Sequence, residues 1–192
     1  TLNARGIELY ASTSMLSLIE QTPQWSLMVE QGVFSAVPTA AGRIHSLSPD
    51  VRLEAVEVPH RAELSDMHAF IVRGPNRSVL FLPDHDRWDD TLAHHNASSI
   101  REWLSTLRVD IALVDGTFWS ANELRGRRQD EVPHPTVSET LERLGPRAEG
   151  DPEVVFIHLN HTNPLHVPTS AEHQTVIDMG WTVGEQGVTF TL

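Results

Sequence analysis

The chain has no cysteine. That absence excludes disulfides, thiolate metal sites and a cysteine nucleophile, and it leaves histidine and carboxylate as the only strong metal ligands. No apolar run is long enough to cross a bilayer, and residues 1–20 mix Arg5, Glu8 and Glu20 with polar groups, so neither a membrane span nor a signal peptide is expected. A cytoplasmic setting is the resulting expectation. There is also no basic stripe. The formal net charge is −12 and the arginines are scattered, which argues against a nucleic-acid partner; the cluster Arg125, Arg127 and Arg128 reads as a solvated loop. Missing too are GxGxxG after a strand, GxxxxGK[ST] and GxSxG, so the nucleotide-binding and serine-hydrolase classes lose their usual signatures.

What is present suits one globular domain over residues 1–192, with 40% apolar and 21% charged residues and no internal repeat or linker. Ile7 to Tyr10 reads as a strand, followed by helices over about Ser14 to Glu20 and Trp25 to Val29. Strands are expected at Val51 to Val58, Ala69 to Val72 and Val79 to Leu82, with Gly74-Pro75-Asn76 as a hairpin turn between the last two. A helix covers Ser98 to Leu107. Ile111 to Val114 and Val154 to Ile157 are continuous apolar runs, the mark of strands buried on both faces. Thr136 or Ser138 caps a helix in the segment Thr136 to Glu142, Ser170 caps another to Met179, and Trp181–Val183 with Val188–Leu192 reads as a closing hairpin. The result is a layered α/β unit of mixed strands and helices.

Of the eleven histidines, four read as structural or surface residues: His94 and His95 at a helix start, His173 on a helix face and His45 in a polar turn. Others recur at strand ends. Leu53 to Val58 runs into Pro59-His60, Ser78 to Leu82 into Pro83-Asp84-His85-Asp86, and Val154 to Ile157 into His158-Leu159-Asn160-His161-Thr162-Asn163-Pro164. Ligands from strands that share a sheet edge can converge on one ion, so His60, Asp84 and His161 are the candidate metal ligands. Singly, each has a bland alternative: His60 begins a loop, Asp84 caps a turn, His161 bonds backbone. His134, between two prolines, has the restrained backbone that suits a general acid or base, and also reads as an ordinary loop histidine. Asp86, Asp115, His158, Asn160 and Asn163 are candidates for orienting those ligands.

The segments VPHRAELSDMHAFIV, VLFLPDHDRW, VDIALVDGTFWSANEL, VPHPTVSETLERL and VVFIHLNHTNPLHVP, in order from about Val58 to Pro168, resemble the metallo-β-lactamase fold. The resemblance is to the branch holding pyrroloquinoline quinone biosynthesis protein B and related phosphodiesterases. It implies an αββα sandwich with metals at one edge. It places His60 on the third-motif histidine, Asp84 on the carboxylate that bridges two metals, and His161 on the fifth-motif histidine. His134 resembles the extra histidine that some phosphodiesterase relatives use near the scissile phosphate. The HxHxDH motif expected upstream of Tyr10 occurs nowhere in the chain, and the first residue is Thr1, so the expectation is a sandwich whose amino-terminal part is missing.

The function expected is a metal-dependent hydrolase that attacks a phosphodiester or other ester through a metal-bound hydroxide, using one or two divalent ions, zinc first, with manganese or iron as alternatives. One rival is a cofactor-biosynthesis enzyme acting on a peptide-derived precursor. Another is a truncated, non-catalytic chain. The expected partner is a small-molecule or peptide-derived substrate, and a homo-oligomer is compatible with either catalytic reading.

Overall fold

The computed structural model describes residues 3–123 and 133–192, so Arg125, Arg127 and Arg128 lie outside the described residues. In chain order the elements are β1 (Ile7–Ser12), α1 (Thr13–Gln21), α2 (Pro23–Glu30), β2 (Phe34–Thr39), β3 (Ile44–Ser48), β4 (Val51–Glu57), β5 (His68–Arg73), β6 (Ser78–Leu82), α3 (Trp88–His94), α4 (Ile100–Leu107), β7 (Ile111–Asp115), α5 (Val137–Leu144), β8 (Glu153–Ile157), α6 (Ala171–Asp178) and β9 (Thr182–Val183). Local sequence accounts for most boundaries. Ser12, Ser99, Thr136 and Ser170 each cap a helix by accepting from the backbone N–H three residues on.

Two sheets form. β1 and β2 pair in parallel as a small separate sheet, and β3 to β9 form a seven-stranded sheet in chain order. Within the larger sheet β3 to β6 are an antiparallel meander, whereas β6 to β9 are parallel and joined by helical crossovers. Because β4, β6, β7 and β8 all run the same way, their carboxyl ends share one edge, where Asp115 ends β7 and the loops carrying His60, Asp84 and His158 emerge.

The helices bury their apolar stripes on one face of this sheet. Trp88 and Leu92 of α3, Ile100, Trp103 and Leu104 of α4, Val137, Leu141 and Leu144 of α5 and Val176 of α6 meet Leu80, Leu82, Ala112, Val114 and Phe156. Each fully buried side chain of this size contributes about 1.5–3 kcal/mol. The other face holds a smaller cluster, Val79, Ile111 and Val155, covered in part by Phe190 and Leu192 near the carboxyl terminus.

Three sequence expectations change. Residues 188–192 form no strand, and β9 pairs in parallel with β8 instead of closing a hairpin; Phe190 and Leu192 pack on the apolar sheet face. His94 and His95 end α3 instead of starting a helix, because Trp88 and Leu92 upstream supply its buried stripe. His45 sits on β3 opposite Leu53 and meets Thr39. β2 was not legible: Pro38 interrupts its pattern, and it survives because it pairs on one side only.

Candidate metal centre

Asp84, two residues past the end of β6, is the hub. Its Oδ1 lies 3.3 Å from His134 Nδ1, 3.8 Å from His158 Nδ1 and 3.9 Å from His60 Nε2. The three imidazoles come from different places: the loop after β4, the loop before α5, and the first residue after β8. Asp84, Asp115 and His134 each offer a ligand atom within 4.8 Å of the others, the one such group among the described residues.

Hydrogen bonds decide which of these donors are still open. Asp115, fully buried, accepts from Thr117 N at 2.9 Å and Thr117 Oγ1 at 2.7 Å on one oxygen, and from His134 Nδ1 at 2.8 Å on the other. Asp115 and His134 therefore spend their facing atoms on each other, and we read Asp115 as an orienting carboxylate although it falls within ligand distance. Thr117 Oγ1 also meets His158 Nδ1 at 3.0 Å, so one buried carboxylate orients two imidazoles, one directly and one through a hydroxyl. His60 Nδ1 donates to Asp86 Oδ1 at 2.9 Å, which leaves its Nε2 toward Asp84.

The loops are held by tight backbone contacts. Gly116 N donates to Ile157 O at 2.8 Å, and a Cβ at Gly116 would stand 2.8 Å from that oxygen, so only glycine lets the two strand ends close. Asn163, buried, donates from Nδ2 to Gly116 O at 2.7 Å and accepts from Leu165 N through Oδ1. His158 itself adopts a left-handed backbone with φ 60°, a conformation that non-glycine residues hold only when their surroundings impose it. On the other side, Val137 N and Ser138 N donate to Phe118 O and Trp119 O, and Trp88 Nε1 donates to Thr140 Oγ1 at 2.8 Å, fixing the His134 loop against β7 and α3.

Burial lowers the affinity of His134 for a proton, but the hydrogen bond it donates to Asp115 and the charges of Asp115, Asp84 and Asp86 outweigh it, so its pKa is raised. His85, between Asp84 and Asp86, is 0% exposed and points the other way, its Nδ1 on Thr91 Oγ1 and its ring 4.4 Å from that of Trp88.

Residues 1–159 match the family described as the beta-lactamase superfamily domain. The chain belongs to that family. The Coenzyme PQQ synthesis protein B of Methylobacterium radiotolerans is 23% identical over 205 residues, covering 96% of this chain and 64% of that protein. The crystal structure of zinc-bound PqqB from Methylobacterium extorquens superposes with a TM-score of 0.71 at 20% identity, covering 97% of this chain and 63% of that one. A diphosphatase of the PhnP family shares the fold with a TM-score of 0.56 at 13% identity, over 100% of this chain and 61% of that one. The chain spans from 29% to 64% of the length of the curated relatives it matches. The large mixed sheet with helices on one face is the superfamily's fold.

Around Asp84 the structure joins His60 and His134 and does not bring in His161. That imidazole is exposed, its Nδ1 is 3.2 Å from Asn160 Oδ1, and no ion pair among the described residues links it to Asp84. The reason is position: Ile157 is the last residue of β8, so His158 emerges at the strand end, while His161 lies in the turn beyond. The sequence signal that could have separated them is distance from the strand end, since Asp115 closes β7 and Asp84 follows β6 by two residues. Asn160 faces Thr162 through its side chain and holds His166 Nε2 through its carbonyl, outside the centre. No helix among the described residues is long and apolar enough to cross a membrane.

Proposed function

We propose that this chain carries the ligand-bearing edge of a metal-dependent hydrolase of esters or phosphodiesters, with Asp84, His60 and His158 holding a divalent ion, zinc first. One observation carries the reading: a single carboxylate oxygen of Asp84 is approached by three imidazoles delivered from three separate elements. Imidazole nitrogen with carboxylate oxygen is the donor chemistry that borderline divalent ions take, so the donor types suit such an ion, although Asp84, His60 and His158 stand farther apart than the Asp84–Asp115–His134 group. Bound there, the ion would polarise the scissile group and acidify a water.

The chain's own residues do the rest. Asp86 and Thr117 hold His60 and His158 in one tautomer each, with Nδ1–H engaged and Nε2 keeping its lone pair. His134, anchored on Asp115 and biased toward its protonated form, gives a proton to the leaving group from Nε2. Such a step contributes ~10²–10⁴-fold. The likeness to Coenzyme PQQ synthesis protein B favours a second reading, a cofactor-biosynthesis step on a peptide-derived small molecule at the same centre.

The decisive experiment measures zinc content by elemental analysis together with diester and ester hydrolysis. Asp84→Ala and His158→Ala should lose zinc and activity, His161→Ala should keep both, and His134→Gln should keep zinc while losing ~10²–10⁴-fold in rate. Zinc retained in His158→Ala but lost in His161→Ala would restore His161 as the ligand. Stoichiometric zinc with no hydrolysis of either ester class would favour the biosynthetic reading.

A further inference from the structure

A cleft of about 270 Å³ opens beside the centre, between the loop after β6 and the start of α5, with His134 in its wall. Three carboxylates line it, and all three are already engaged. Asp86 accepts from His60 Nδ1 at 2.9 Å, Asp89 accepts from Arg143 at 2.8 Å, and Glu139 accepts from the same guanidinium at 3.0 Å. The remaining charged lining residue is Arg87, exposed at the entry to α3. Its guanidinium makes no hydrogen bond, and no ion pair within 4.0 Å, among the described residues. It acts on its neighbour Asp89 only as a through-space charge.

We propose that Arg87 is a specificity-determining residue that grips a second anionic group, a carboxylate or phosphoryl oxyanion, on a substrate whose reacting bond lies at Asp84 and His134. The inference rests on the centre proposed above and adds the chemistry of the substrate's other end. A guanidinium fork matches either oxyanion with two parallel N–H donors. The wall acids are each tied to a partner, Asp89 and Glu139 sharing Arg143 and Asp86 accepting from His60, so among the described residues Arg87 is the guanidinium of the cleft left to meet an anion. The chain's formal charge of −12 makes the far field repulsive to anions, so an anionic substrate is recruited by a local cation or not at all.

The test uses zinc-loaded protein and calorimetric titration with malonate, succinate, glutarate and adipate against butyrate, which lacks the second carboxylate. At least one diacid should bind the wild type about 5–10-fold more tightly than butyrate does, within the range of a charge-assisted contact. Arg87→Ala should bring that ratio to about one with zinc content maintained, and Arg87→Lys should keep part of it. A wild-type ratio near one, or a preference that survives in Arg87→Ala, overturns the proposal. Failure of the centre reads separately: a wild-type chain that takes up no zinc sinks the metal site, and the same ratio measured on the metal-free wild type and Arg87→Ala then decides the anchor by the same criteria.

Discussion

His85 shows how much one side chain commits to. It sits between two carboxylates that face the candidate centre, yet it is itself core, with Nε2 unpartnered among the described residues. Burial is the main cause that lowers its pKa to about 4, partly opposed by Asp115. The fold thus holds the imidazole neutral, whereas the unfolded chain protonates it at the ordinary 6.5. Between these values the unfolded state binds more protons, so stability is full above about pH 6.5 and falls as pH drops toward 4, by about 3 kcal/mol in all. In chelator, urea midpoints measured from pH 7 to 4.5 should fall steeply for the wild type and less for His85→Gln, which keeps a partner for Thr91. Equal slopes in both proteins would assign the acid sensitivity to other groups. Sequence alone could not separate His85 from Asp84 and Asp86, because all three share one strand-end tripeptide and only the turn geometry sends the middle one inward.

At the scale of elements, the parallel strands were the most legible part, since β7 and β8 are continuous apolar runs buried on both faces, and Thr136 and Ser170 announce their helices. The choice between His158 and His161 was not legible. His158 comes within 3.8 Å of Asp84 because Gly116 closes on Ile157 and the backbone at His158 is left-handed, both tertiary. A second tertiary device is Arg101 of α4. It donates to Asp151 through Nε and an Nη at 2.9 Å, to Pro146 O at 2.9 Å and to Leu144 O, tying α4 to the end of α5. Its hydrogen bond holds the Asp151 carboxyl below the usual carboxylate range. A depressed carboxylate stabilises above its unfolded pKa and loses that contribution as pH falls through the folded one, so the effect is confined to acid below about pH 4. Arg101 is 37% exposed against 11% for Asp151, so solvent screening limits the loss on Arg101→Met to about 1–2 kcal/mol. A denaturation midpoint unchanged at pH 7 would show that the Arg101 contacts add nothing to the stability of the junction.

Across the whole molecule the two sheet faces are unequal. One is sealed by four helices. The other leaves Phe81 45% exposed and relies on Phe190 and Leu192, with the Leu192 backbone against Gly74. Removing residues 188–192 should therefore uncover Val79, Ile111 and Val155, raising hydrophobic-dye fluorescence and lowering the melting midpoint. Identical dye binding before and after truncation would show that those residues do not cover the face in solution. This asymmetry was hidden in the sequence, because an apolar strand reads the same whether one or both of its faces finds a cover.

The change from antiparallel to parallel pairing at β6 also orders events in time. The β3–β6 meander closes through two short turns and the loop of residues 58–67, so its pairings are more local than those of β7 and β8, which must wait for helical crossovers. His60 and Asp84 belong to the fast half; Asp115, His134 and His158 arrive with the slow one. The centre is thus assembled across a kinetic seam, and uptake of an ion during refolding would clock the docking of the last strands, not the first collapse of the chain.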